Sequence, residues 1–171
     1  MFNEPYAEKM MISNIKFRYE GLFDYDGLYL MMQRWLSKKG YNFYETKYKH
    51  KPMELGEESE IEWVAEKKVT GYYMHFIKIE FHLWDINDVE IKGKTWSQAR
   101  MEINFTGTLI LDYEGNWGKN AVLKFLRDFY HEYVIKEPID HIWGEDMRLE
   151  ILALAEDTKK FLSSYTTGKS F

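Results

Sequence analysis

His75-Phe-Ile-Lys-Ile-Glu-Phe-His-Leu-Trp84 and Arg100-Met-Glu-Ile-Asn-Phe-Thr-Gly-Thr-Leu-Ile-Leu111 decide how this chain folds. In both stretches apolar and polar residues alternate, the period of a strand with one buried face. Between them lies Lys92-Gly93-Lys94, a turn signal. A turn centred there pairs the two strands antiparallel, with partner numbers summing to about 186. Leu83 then stands opposite Ile103, Phe81 opposite Phe105 and Ile77 opposite Leu109. On the reverse face His82 meets Asn104, Glu80 meets Thr106 and Lys78 meets Thr108. One turn assignment sorts apolar from polar along both strands, which a random pairing would not do.

Upstream, Ile15, Phe17 and Tyr19 alternate with Lys16, Arg18 and Glu20, a strand that runs towards Phe23. The period then changes. Leu28, Met31, Met32, Trp35 and Leu36 recur at helical spacing, with Asp24 or Asp26 as N-cap and Gly40 suited to the left-handed position after the last turn. Residues 41–50 and 61–70 read as strands joined by an acidic loop from Pro52 to Glu60. In Tyr44-Glu-Thr-Lys-Tyr-Lys-His-Lys51, basic residues interleave with aromatics. Such a pattern can grip single-stranded RNA, but an edge strand shielded from aggregation by lysines explains it better.

Downstream of Asp112, a loop at Glu114–Gly118 leads into a helix whose Val122, Phe125, Leu126, Phe129 and Tyr133 share one face. That face is expected to be core, with Phe125 and Phe129 meeting the sheet beside Trp35. Pro138 ends or kinks this helix, and a last helical region spans roughly residues 139–165. The order is β-α-β-β-β-β-α-α. It defines an α+β fold, an antiparallel sheet of about five strands with helices packed on one face. Residues 1–14 are expected to be an extension, 15–165 one domain and 166–171 a loose tail.

Composition narrows the function classes. The 171 residues suit one domain with a substantial core. A net charge of −5 argues against a nucleic-acid partner. The absence of Cys removes disulfides, thiolate catalysis and Cys-ligated zinc. No apolar run reaches the ~18 residues of a membrane span, and the start shows no signal-peptide pattern, so no membrane partner and a cytoplasmic setting are expected. The aromatic load is the outlier, with 13 Tyr, 11 Phe and 6 Trp. Aromatic side chains dominate cores and also enrich interfaces.

Candidate chemistry is sparse. His82 shares a strand face with Glu80, Glu102, Asn104 and Trp84, the surroundings of a general base or a metal ligand and equally of an ordinary solvated face. Gly118, Lys119 and Asn120 sit between strand and helix, where free amides and a lysine can hold an anion. They depart from a P-loop, because Tyr113 replaces its first glycine and Asn120 its hydroxyl. His131-Glu132 lacks the second histidine of a zincin, and Asn104-Phe105-Thr106 matches a glycosylation sequon only by chance, inside a strand. No convergent catalytic set and no cofactor motif is present.

Four stretches carry a resemblance: Tyr19-Glu-Gly-Leu-Phe-Asp-Tyr-Asp-Gly-Leu-Tyr29, Lys39-Gly-Tyr-Asn-Phe-Tyr-Glu45, Phe81-His-Leu-Trp-Asp85 and Phe125-Leu-Arg-Asp-Phe-Tyr-His131. Across most of residues 11–165 the chain resembles an uncharacterised family of small archaeal proteins. The resemblance implies an intracellular archaeal setting and no activity or site residue.

The sequence therefore leads to a non-enzymatic interaction module. Its surface is expected on the reverse sheet face, with Phe76 paired to Ile110, Trp84 opposite Glu102, and His82 between them. The partner is a protein or a second copy. The alternative follows from the element order, which resembles the helix-grip arrangement: a small apolar ligand held between sheet and C-terminal helix.

Overall fold

The computed structural model describes residues 7–53, 56–91, 93–117, 119–135 and 142–164. β4 (Tyr73–Ile91) and β5 (Lys94–Leu111) form the central hairpin. β1 (Glu8–Phe23) pairs with β5 on one side, and β3 (Gly56–Lys68) followed by β2 (Asn42–Met53) completes the other, giving the order β1-β5-β4-β3-β2 with every pair antiparallel. β2 is an edge strand, as its lysines suggest. α1 (Tyr25–Lys38) carries the chain across one face from the β1 edge to the β2 edge.

The β4–β5 register keeps the expected faces and changes the partners. Phe81 opposes Ile103, Leu83 opposes Met101 and Ile77 opposes Gly107, each two residues nearer the turn than the alternation alone suggests. Half of that shift arises at the tip, where Ile91 opposes Lys94. The other half is a bulge in β4 between Trp84 and Asn87, with Asp85 at φ 54°. Aspartate tolerates this left-handed conformation better than most residues. An even shift leaves every side chain on its face, so Phe81 and Phe105 are both buried on the helix side.

Three helix residues one turn apart, Leu28, Met32 and Leu36, fix α1 on that face. The Asp24 carboxylate accepts from the Gly27 amide at 3.0 Å as N-cap and also holds Lys94. At the other end Gly40, at φ 81°, donates to the Ser37 carbonyl and Tyr41 donates to the Leu36 carbonyl, a Schellman ending. Trp63 anchors the core between α1 and the sheet. The rings of Tyr29, Phe43 and Phe81 meet it edge-on at 4.7, 4.8 and 4.7 Å, and its indole N–H donates to Glu45 at 3.1 Å.

The last helix, α3 (Gly144–Ser163), covers the β1–β5 half with Met147, Ile151, Leu154, Ala155 and Leu162. It rests on Gly107: a β-carbon there would overlap the Ile151 Cδ1 atom. Glycine in the middle of a strand is costly, and here it lets a helix approach the backbone.

Several sequence expectations need correction. β1 begins at Glu8, inside the supposed extension, because an extra residue at Ile12 reverses the alternation: Met10 and Ile12 face the core before it, Phe17 and Tyr19 after it. The acidic stretch before Glu60 belongs largely to β3, since Glu57, Glu58 and Glu60 lie opposite Pro52, Lys51 and Lys49 on the basic β2. Helix α2 (Ala121–Tyr130), continued by a π-helical turn at His131–Ile135, contributes no buried residue. Its apolar face points outward, with Phe125 68% and Phe129 51% exposed, because α1 and α3 already cover the sheet. Trp35 is half-buried against the core. Pro138 and the expected tail at 166–171 lie outside the described residues. No helix among the described residues is long and apolar enough to cross a membrane.

Gly107→Val should therefore lower the unfolding midpoint in urea clearly, by about 1–3 kcal/mol of stability or more, since overpacking here forces α3 off the sheet. Phe125→Ala, measured in dilute protein, should change stability by no more than about 0.5 kcal/mol. A loss of ~3–5 kcal/mol for Phe125→Ala would place that ring in a core and contradict this packing.

Candidate functional site

The sheet face opposite the helices is a polar lattice built by the register. Glu102 holds Lys16 and Arg18, each at 2.8 Å; Lys78 bridges Glu62 at 2.9 Å and Glu80 at 2.8 Å; Lys47 holds Glu60 at 2.6 Å. Asn104 adds a hydrogen bond to Glu80 at 3.0 Å. Lys47 keeps Glu60 below the usual carboxylate range, and Lys16 and Arg18 do the same for Glu102. Such exposed pairs contribute little individually. Together they pair most charges of the face, while the buried Asn104 Oδ1 has no hydrogen-bond partner among the described residues.

His82 lies at the centre of this lattice, directly between Glu60 on β3 and Glu102 on β5. Its Nε2 is 2.6 Å from the Glu58 Oε1, and its ring stacks on Trp84 with centroids 3.9 Å apart. Trp84 itself faces Arg100, while Glu102 faces His82. Ligand atoms of Glu58, Glu60 and His82 fall within 4.8 Å of one another, the arrangement on this face that could hold a metal ion. The sequence pointed to His82 but not to Glu58, which the loop reading had removed from the sheet.

The other predicted surface residues are placed differently. Ile110 is 2% exposed: it pairs with Met74, and the two pack with Tyr113, while Phe76 faces Thr108 and lies partly buried at the edge of that cluster. Of the anion-site residues, Gly118 lies outside the described residues. Lys119 donates to the Asn116 side chain at 3.1 Å, and Asn120 caps α2 by accepting from the Leu123 amide at 2.8 Å. The loop amides of Asn116 and Trp117 donate to the buried Asp112 carboxylate at 2.9 and 3.1 Å. The chain's own carboxylate thus meets two of the loop amides.

A buried polar cluster escaped sequence reading. Tyr41 follows α1, Lys67 ends β3, His75 opens β4 and Glu150 sits on α3, so four elements bring them together. The Tyr41 hydroxyl donates to Glu150 at 2.7 Å, and Lys67 donates to it at 3.0 Å. Having given its one proton to Glu150, the Tyr41 oxygen accepts from His75 Nδ1 at 3.2 Å. His75 is 3% exposed, and its Nε2 has no hydrogen-bond partner among the described residues. Burial would raise the Glu150 pKa, but His75, Tyr41 and Lys67 outweigh it and bring it down to about 2. Burial chiefly, helped by the Glu150 charge, pushes the Tyr41 hydroxyl far up. This cluster ties α3 to the sheet; its charge arrangement does not activate a nucleophile.

The third feature is α2. Val122 (69% exposed), Phe125, Leu126, Phe129 and Tyr133 (73% exposed) form an outward stripe. The helix joins the body through Tyr130 and His131, whose rings meet Tyr72 at 6.3 and 5.6 Å, and His131 also pairs with Glu8 at 3.0 Å.

No protein-family model matches the chain, and no curated protein matches it.

The Glu150 carboxyl is depressed from its usual 4.5 to about 2, so its stabilisation is complete above about pH 4.5 and is lost as pH falls towards 2. Unfolding free energies of wild type and Glu150→Gln from urea titrations should differ at pH 6 by about 2–3 kcal/mol and converge as the pH is lowered through that window. A gap that stays constant down to pH 3 would contradict this linkage.

Proposed function

We propose that this chain is a binding module whose working surface is the aromatic stripe of α2, and that its partner is a second copy of the chain. The carrying observation is the outward stripe Val122–Phe125–Leu126–Phe129–Tyr133. A helix with one strongly apolar face is stable when that face is covered, and here no other element of the described residues buries it.

Area favours a second copy. At ~150–250 Å² per large aromatic side chain, the exposed parts of the stripe amount to roughly 600 Å² per chain. A two-fold pair then buries roughly 1,200 Å², the lower end of a specific interface. Packed antiparallel about a two-fold axis, Phe125 of each copy faces Phe129 of the other. An isologous interface needs this self-complementarity.

The small-ligand alternative would hold its ligand between the sheet and α3, where Met147, Ile151, Leu154 and Leu162 are buried in the core. A cavity beside α1, lined by Tyr25, Leu28, Tyr29, Trp63, Phe81 and Met101 among others, has room for about 10 Å³. That suits a single water, whereas ligand pockets run to ~300–1,000 Å³.

Light scattering across protein concentrations tests the reading. Wild type should shift towards twice the monomer mass as concentration rises, and Phe125→Ser with Tyr133→Ser should remain monomeric with an unchanged circular dichroism spectrum. A wild type that stays monomeric at all concentrations, or a double variant that dimerises equally well, overturns it.

A further inference from the structure

We infer that Glu58, Glu60 and His82 form a binding site for a divalent first-row transition ion of the zinc class on the open face of the sheet. This site is independent of α2 and of its partner.

Three observations carry the inference. The ligand atoms of the three residues lie within 4.8 Å of one another, so small side-chain rotations bring each to the ~2.0–2.2 Å at which such ions bind imidazole and carboxylate. One imidazole with two carboxylates suits an ion of intermediate softness, and it leaves further positions for water. The ring is held in place by its stack on Trp84 at 3.9 Å, which limits the order that binding would have to create. The backbone also contributes: the Asp85 bulge in β4 lies opposite Glu58, and bulges re-aim the side chains beside them.

Charge sets Glu58 apart. Glu60, Glu62, Glu80 and Glu102 each hold a lysine or arginine on this face. Among the described residues Glu58 holds only His82, at 2.6 Å. A half-buried carboxylate whose one partner is an imidazole is the group an added cation would most stabilise. Lys47 is the competitor: it binds the Oε2 atom of Glu60 at 2.6 Å, leaving the other oxygen for an ion. The ion and Lys47 therefore oppose each other through Glu60, which predicts that removing the lysine strengthens the site.

Calorimetric titration of the purified full chain with Zn²⁺, repeated with Co²⁺ for its ligand-field absorption, tests the inference. Wild type should bind one equivalent. His82→Gln and Glu58→Gln should each weaken binding tenfold or more, and Lys47→Ala should tighten it several-fold. His50→Gln, a control on the other face where His50 pairs with Glu57 at 3.1 Å, should leave the titration unchanged. The Lys47 gain cannot be produced by misfolding, so it keeps the test decisive if a ligand variant is unstable. Equal titrations of wild type and His82→Gln, or loss of binding in His50→Gln instead, would overturn the site.

Discussion

The pairing of β4 with β5 is the constraint on which the rest of this molecule depends. Its register decides that Ile77, Phe81, Leu83, Met101, Ile103 and Phe105 share one face and that Lys78, Glu80, His82, Glu102 and Asn104 share the other. It also sets Gly107 opposite Ile77, leaving the backbone open to the approach of Ile151. The position of α3 follows from that gap, and the Glu150 cluster follows from α3. A slip by one residue would reverse both faces and remove every one of these relations.

Covering only one face has consequences for the other. With α1 and α3 on the core side, the middle of the open face carries no helix among the described residues, and its charges pair across the strands. That pairing is why the face suits an ion at Glu58–Glu60–His82 better than it suits a broad protein interface. The apolar surface a partner would need lies instead on α2, which contributes no buried residue.

The fold was legible where alternation ran uninterrupted, as in residues 75–84 and 100–111, and was lost where single inserted residues broke the period. Ile12, Thr46 and Asp85 each shift the ladder by one, hiding the start of β1, the true extent of β2 and the partners of β4. Glutamates are uncommon in strands, so Glu57–Glu60 read as loop; only the facing basic strand makes them strand residues. For α2, periodicity revealed an apolar face but could not say whether the chain itself would cover it. His82 was legible because its neighbours in register are carboxylates. The Tyr41–Glu150 contact joins residues 109 apart, and no local pattern announces it.

The register itself is open to direct measurement, because a chain without cysteine gives no background in disulfide trapping. In this structure Lys78 faces Thr106, whereas simple alternation about the turn would place it opposite Thr108. Directly paired strand residues have Cα atoms ~4.5–5.5 Å apart, within disulfide reach, and a partner two residues along exceeds the ~7 Å limit. Under mild oxidation Lys78→Cys with Thr106→Cys should form an intramolecular disulfide readily, and Lys78→Cys with Thr108→Cys should not. The reverse result would contradict the pairing from which the core, the open face and the seat of α3 all follow.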